Sequence, residues 1–240
     1  MSGLLYPPHC PVCDTILPLN GAKICSVCEK TLPWVVQPCC MKCGKMIGDP
    51  GKEYCDDCLR VRHVYDQGKA IFQYTGRLRA SVGRIKSGSR REYLDYYADI
   101  MAECGQKWLT LWKPDVIIPV PMYWKKKNRR GYNQSEILAE KISRRTGISV
   151  MANAVRKVRD TRAQKELTTA DRRKNLKGAF ELQRKLSDIR TVLIIDDIYT
   201  TGSTVDELAK TLKREGVLRV YFLTLCIGKG KKAIYIDGKM

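Results

Sequence analysis

Two stretches of the chain carry residue types whose spacing suits chemistry. The first is a set of paired cysteines, Cys10/Cys13 (CPVC), Cys25/Cys28 (CSVC), Cys40/Cys43 (CMKC) and Cys55/Cys58 (CDDC), whose second half repeats the first at an offset of thirty residues. A CxxC turn points two thiolates at one cation, and two such turns complete a tetrahedral shell with no open position, so the spacing predicts two structural Zn sites. The ligand set is Cys10, Cys13, Cys25, Cys28, Cys40, Cys43, Cys55 and Cys58, and the spacing admits both sequential filling and cross-bracing. Adjacent CxxC pairs are poor staples and nothing marks secretion, which argues against a disulfide framework. Cys39 breaks the repeat and is read as a spare neighbour; His9 is read as a bystander.

The second stretch is VLIIDDIYTTGST, Val192 to Thr204. A strand from Val192 to Ile195 is expected to deliver Asp196 and Asp197 at its carboxyl end. Thr200, Thr201, Gly202, Ser203 and Thr204 then turn into the positive end of a helix. Backbone N–H groups at such a turn, with hydroxyls beside them and a glycine permitting close approach, suit a phosphate monoester. Carboxylates facing that phosphate would repel it, so their place is beside its neighbour. Vicinal ribose hydroxyls, with or without Mg²⁺, donate to carboxylates and fit there. A P-loop is excluded, because its GxxxxGK[ST] spacing is absent.

The elements that position these residues follow from periodicity. The cysteine-rich stretch has few large aliphatics and needs metal binding, worth on the order of 10 kcal/mol per site, to fold. Composition changes near residues 60–66, which predicts a zinc-ribbon domain over 1–62 and a second domain over 63–240. In the second, strands are expected at 70–74, within DVIIPV (115–120), and at 179–182, 191–195 and 220–227. Helices are expected at 77–86, 92–108, 135–145 and 204–215, the last with a capping box of Thr204 and Glu207 and with Gly216 as its C-terminal cap. Cys104 and Cys226 lie in apolar, periodic segments and are expected to be buried structural thiols. Alternating strands and helices predict an α/β fold with a doubly wound parallel sheet, whose ligands bind beyond the carboxyl ends of the strands.

Lys and Arg outnumber Asp and Glu by 44 to 25, a net charge of +19 that favours polyanionic partners. No stretch approaches the roughly 18 apolar residues of a membrane helix, and Met1 to Tyr6 is too short and uncharged for a signal peptide, so a cytoplasmic, non-spanning protein is expected. Basic residues gather in two runs expected to flank a bound anion: Lys125, Lys126, Lys127, Arg129 and Arg130, then Arg156, Lys157, Arg159, Arg162, Lys165, Arg172, Arg173 and Lys174. With RIKSGSRR (Arg84 to Arg91) they exceed what one small anion needs. Tyr123, Trp124 and Tyr132 interleave with the first run, a pattern that suits single-stranded nucleic acid. Lys125, Lys126, Lys127, Arg129, Arg159, Arg162, Arg172 and Arg173 are the expected DNA contacts.

DDIYTTGST resembles the phosphoribosyl diphosphate (PRPP) signature of type I phosphoribosyltransferases. The chain as a whole is similar to the ComF family, through the CxxC pairs, IIPVPMYWKKKNRRGYNQSEILA, RDTRAQKELTTADRRKNLKGAF and the signature itself. The resemblance implies a type I phosphoribosyltransferase sheet behind the zinc ribbon. In it Asp196 and Asp197 hold the ribose hydroxyls of PRPP or a related sugar phosphate, Thr200 to Thr204 hold its 5′-phosphate, and Mg²⁺ accompanies PRPP. It places Val120 and Pro121 in the pyrophosphate loop, often a strained peptide in that fold. RGYNQS, Arg130 to Ser135, lies beside that loop as a family hallmark, and Arg159 to Asn175 corresponds to the mobile loop that closes over PRPP. It further implies handling of single-stranded DNA during natural transformation, with a DNA-uptake helicase or other competence proteins as partners. No catalytic residue and no acceptor-base site emerge, because the N-terminal extension is spent on zinc and the C-terminal one is short. A nucleobase phosphoribosyltransferase and a non-catalytic zinc-ribbon adaptor in the uptake machinery are the alternatives.

Overall fold

A computed structural model of the chain describes residues 7–160 and 175–228. In chain order its elements are α1 (Ser26–Lys30), α2 (Asp56–Arg60), β1 (Gln67–Gln73), α3 (Gly76–Ser87), α4 (Tyr93–Trp112), β2 (Val116–Pro119), α5 (Trp124–Arg130), α6 (Gln134–Thr146), β3 (Val155–Lys157), β4 (Phe180–Leu182), β5 (Thr191–Tyr199), α7 (Ser203–Arg214) and β6 (Arg219–Ile227). Four strands form one parallel sheet in the order β1-β6-β5-β2. Such a sheet is covered on both faces, which is why its strands read as apolar runs. Leu193, Ile195 and Leu223 face α3, α4 and α6, whereas Val192, Ile194, Val220 and Phe222 face α7.

The two ribbons straddle the β1 edge. Cys10, Val12 and Leu17 join the core under α3 and α4; Cys40, Cys43 and Cys55 join the opposite core with Tyr65, Tyr199 and Phe222. The chain between the ribbons pairs with β1 itself: Val35 N–H donates to the Ile71 carbonyl at 2.9 Å, and Gln73 N–H to the Pro33 carbonyl at 2.8 Å. Gly68 N–H donates to the Lys42 carbonyl of the second ribbon at 2.8 Å. Gly68 is required here, because a Cβ would lie 2.0 Å from the Phe222 ring.

Several expectations need correction. The helix expected to end at Trp108 continues to Trp112, because Leu109 and Trp112 prolong its buried stripe until Lys113 adopts left-handed backbone ahead of Pro114. Within it Cys104 is exposed and Gly105 is the buried residue, its Cα so near Leu223 that a Cβ would approach to 2.8 Å. Cys226 is buried as expected. Phe180–Leu182 does not join the main sheet and instead pairs antiparallel with Val155–Lys157. The capping box of Thr204 and Glu207 does not form: α7 starts one residue earlier behind Gly202, and Glu207 turns aside to accept Gly178 N–H at 2.6 Å. Gly216 follows the end of α7 with a φ of 94°. No helix among the described residues is long and apolar enough to cross a membrane.

Candidate functional site

β5 runs past the acidic pair to Tyr199, four residues beyond the expected end, and stays paired to β6 through Tyr199 opposite Ile227. Asp196 and Asp197 therefore lie within a strand, at the point where its facing inverts: Leu193 and Ile195 belong to the α3/α4/α6 side, yet beyond the pair Ile198 does so and Tyr199 joins the other. Asp196 Oδ1 accepts from the Ser135 hydroxyl at 2.9 Å and from Asp197 N–H at 2.9 Å. Asp197, 6% exposed, is ion-paired with Lys86, Nζ to Oδ2 2.6 Å. Burial, then the neighbouring charge of Asp197, pushes the Asp196 carboxyl up to about 8. Burial also opposes charge on Asp197, but the Lys86 ammonium overcomes it and holds that carboxyl below its ordinary value.

The turn after β5 is built on Gly202, whose φ is 78° and whose missing side chain admits Tyr199 Oη and His63 Cε1; a Cβ would lie 2.5 Å and 2.9 Å from them. Thr201 and Ser203 hydroxyls lie 2.9 Å apart, and Asp196, Thr200, Gly202, Ser203 and Thr204 line a small depression together. The floor joins Tyr199 of the motif to residues from outside it. Tyr199 stacks on Phe222 at 4.6 Å and its hydroxyl lies 2.6 Å from that of Tyr65. His63 stacks on Tyr65 at 4.9 Å, and its Nδ1 faces Asp206 in the first turn of α7.

RGYNQS knits the loops at the carboxyl edge. Arg130 Nη1 donates to Gln134 Oε1 at 2.6 Å, and the Tyr132 hydroxyl donates to the Ile85 carbonyl. Asn133 caps α6 by accepting Ser135 N–H at 3.1 Å and donates to the Val120 carbonyl at 3.0 Å. Val120 N–H in turn donates to the Ile195 carbonyl at 2.9 Å, so the Val120–Pro121 loop is tied to β5 directly before the acidic pair. The cis peptide recorded among the described residues is Gln37–Pro38, not Val120–Pro121.

The basic runs are partly consumed within the fold. Lys126 pairs with Asp160 at 3.0 Å and Lys127 with Glu136 at 2.7 Å, while Arg159 donates to the Lys177 carbonyl. Lys125 and Arg129 are exposed on α5 beside Trp124, 57% exposed, with the Lys125 ammonium 5.5 Å from that ring. Tyr132 is buried and unavailable for stacking. RIKSGSRR turns inward: Arg84 donates to the Val12 carbonyl at 2.8 Å, Arg90 pairs with Asp14 at 2.8 Å, and Lys86 reaches Asp197. Burial and the adjacent Lys126 bring Lys157 down to about 8, opposed by Asp160 and Asp196. Arg162, Lys165, Arg172, Arg173 and Lys174, with most of the Arg159 to Asn175 loop and the tail after Gly228, lie outside the described residues.

The cysteines form two sequential tetrads, Cys10/Cys13/Cys25/Cys28 and Cys40/Cys43/Cys55/Cys58, each with its Sγ atoms within 4.8 Å of one another. Cys13 and Cys25 sulfurs are 3.7 Å apart and Cys43 and Cys55 sulfurs 3.6 Å, close to the ~3.8 Å edge of a tetrahedron with Zn–S bonds of about 2.3 Å. The donor sets therefore fit two structural Zn ions. Cys39 and His9 stand outside both tetrads: Cys39 Sγ donates to the Val36 carbonyl at 3.0 Å, and His9 Nδ1 lies 2.9 Å from the Pro7 carbonyl.

A parallel sheet with an acidic pair and a hydroxyl turn at its carboxyl edge, fused to paired thiolate tetrads, defines a phosphoribosyltransferase-fold protein with a double zinc ribbon. The phosphoribosyl transferase domain family matches residues 90–238, and the double zinc ribbon domain family residues 1–59. Competence protein F of Haemophilus influenzae is 33% identical over 185 residues, 75% of this chain and 80% of that protein. The DNA utilization protein YhgH of Salmonella typhi is 32% identical over 226 residues, 93% of this chain and 98% of that protein. Among solved structures, a purine phosphoribosyltransferase from Pyrococcus horikoshii aligns with 60% of this chain and 95% of its own at 18% identity and a TM-score of 0.33. On the sequence matches, the chain belongs to the ComF family of double-ribbon phosphoribosyltransferase-like proteins.

Proposed function

We propose that this protein binds PRPP or a related sugar 5-phosphate at the carboxyl end of β5 and handles single-stranded DNA during DNA uptake in natural transformation. The observation that carries the ligand assignment is the adjacency of Asp196 and Asp197 to the Thr200–Thr204 turn, with Gly202 compelled by the close approach of Tyr199 and His63. Asp196 and Asp197 accept from the ribose hydroxyls, the turn takes the 5′-phosphate at the amino end of α7, and Val120, Pro121 and Arg130 face the diphosphate. Residues 1–62 act as the zinc-ribbon unit and 63–240 as the ligand-binding unit, in the cytoplasm. The proposal is of binding rather than turnover.

The DNA half rests on the exposed Trp124 among Lys125 and Arg129 at the rim of the site, and on the net charge of +19. The names of the relatives, competence and DNA utilization, agree with the process, whose partners are a DNA-uptake helicase or other competence proteins.

The test is thermal unfolding with PRPP and Mg²⁺. A ligand at about 100 times its Kd adds roughly 2.7 kcal/mol, a clear rise in Tm. Asp196→Asn with Asp197→Asn is expected to abolish the rise while zinc content stays unchanged, and a wild-type chain that shows no rise overturns the ligand assignment. For DNA, oligonucleotide affinity should fall steeply with salt, and Trp124→Ala should weaken it by about 1–3 kcal/mol if one base stacks there. Absence of binding at low salt removes the DNA half.

A further inference from the structure

Lys86 bears on what the acidic pair can hold, an inference that rests on the sugar-phosphate assignment above. It is the penultimate residue of α3, one turn after Val82, and three hydrogen bonds hold the second half of that helix. The Ser81 hydroxyl donates to the Pro11 carbonyl and Arg84 Nη2 to the Val12 carbonyl, both in the first ribbon; the Tyr132 hydroxyl donates to the Ile85 carbonyl. So held, the ammonium lies 2.6 Å from Asp197 Oδ2, against a carboxylate side chain only 9% exposed.

Direct coordination of Mg²⁺ requires a carboxylate oxygen at about 2.0–2.1 Å in near-octahedral surroundings with retained waters. Asp197 Oδ2 already faces a fixed cation, and a divalent ion at that oxygen would sit against a like charge. Asp196 offers little more: its Oδ1 accepts from Ser135 and from Asp197 N–H. The residues present therefore do not fit a metal bound directly by the acidic pair. They do fit hydroxyl donors, which need an acceptor whose charge is balanced nearby.

We propose that Lys86 takes the place of a divalent cation at the acidic pair, so that the ribose hydroxyls are gripped without metal and Mg²⁺ enters only on the diphosphate of PRPP. Lys86 is a positioning residue: it sets the charge and orientation of Asp197, which meets the ligand.

The experiment is calorimetric titration of the full, zinc-loaded chain with ribose 5-phosphate and with PRPP, in Mg²⁺-free buffer and with Mg²⁺ added. Ribose 5-phosphate affinity of the wild type is expected to move less than about threefold with Mg²⁺, whereas PRPP affinity rises. Lys86→Met is expected to weaken ribose 5-phosphate about tenfold without Mg²⁺ and to recover when Mg²⁺ is supplied, while Lys86→Arg stays near the wild type. A merely structural ion pair would not make the response to ribose 5-phosphate depend on metal. Wild-type binding of ribose 5-phosphate that requires Mg²⁺ overturns the role of Lys86 and leaves the sugar-phosphate assignment standing, as does a Lys86→Met chain that binds like the wild type in both buffers. A wild-type chain that binds neither ligand overturns the sugar-phosphate assignment, and the role of Lys86 with it. Should Lys86→Met fail to fold, the Mg²⁺ response of the wild type decides alone.

Discussion

His63 Nδ1 lies 2.5 Å from Asp206 Oδ2, joining the exit of the second ribbon to the first turn of the helix behind the hydroxyl turn. Asp206 Oδ1 also accepts Val64 N–H at 2.8 Å, so a single buried carboxylate satisfies two donors from the linker. Asp206→Ala is expected to leave both without an acceptor, at about 1–3 kcal/mol per buried group. The urea midpoint should fall accordingly, and Asp206→Asn should lie between the two. An unchanged midpoint in the alanine variant would show that the linker does not depend on this contact.

Gly202→Ala places a Cβ where Tyr199 and His63 already stand and demands left-handed backbone of a non-glycine residue, a strain of about 1–3 kcal/mol. We expect a lower Tm and loss of the PRPP-induced rise. A variant that keeps the full rise would mean that the turn takes no part in gripping the phosphate.

Because the tetrads are sequential, a single cysteine substitution should cost one metal and spare the other. Metal analysis of Cys58→Ser is expected to give one zinc per chain where the wild type holds two, with Cys10, Cys13, Cys25 and Cys28 still loaded. A cross-braced pairing would have put ligands from both halves at the damaged site. Loss of both ions from a chain that remains folded would contradict the sequential arrangement.

The acidic pair predicts a pH dependence with a definite sign. Asp196 is raised from 3.8 to about 8, so the folded chain keeps a proton that the unfolded chain releases. Its contribution to stability is present below the unfolded value and is lost as pH climbs through the folded one. Relative to Asp196→Asn, the wild-type Tm should therefore decline between about pH 4 and about pH 8. Asp197 works in the opposite sense, since its value is lowered: its contribution is present above the unfolded value and is lost in acid. Parallel Tm curves for wild type and Asp196→Asn would refute the assignment of a high value to Asp196.

Much of this site is legible in the chain alone, and the exceptions have physical causes. Spacing by itself identifies the eight zinc ligands, because a tetrahedral thiolate shell has few alternatives, but both pairings satisfy that spacing until the ribbons are placed on opposite faces of the sheet. DDIYTTGST announces its loop through an excess of hydroxyl and carboxyl groups. Its strand is longer than apolarity suggests, since Asp196 keeps its place opposite Thr224 and the β5–β6 pairing resumes at Ile198 and Tyr199 beyond the acidic pair. Lys86 is hidden in RIKSGSRR, where four cations of eight residues resemble a solvated face. Its one local signal is helical phase, four residues after the buried Val82 and next to the buried Ile85. His63 carries little local signal, for although it stacks on nearby Tyr65 its carboxylate partner Asp206 is more than a hundred residues away. Cys104 departs from its expected burial for a different reason: the absent side chain of Gly105 lets α4 pack closely on Leu223, which turns position 104 outward.

The pairing of β1 with Pro33, Val35 and Lys42 has a consequence for how the chain is made. An open parallel sheet ends in a row of unmet amides that can recruit strands from other molecules and seed aggregation. Here the segment that covers that border precedes it in the chain, so during vectorial synthesis the cover emerges before the sheet that needs it. A cell starved of zinc would then be expected to accumulate this protein as insoluble assemblies rather than as a dispersed form lacking only its metal.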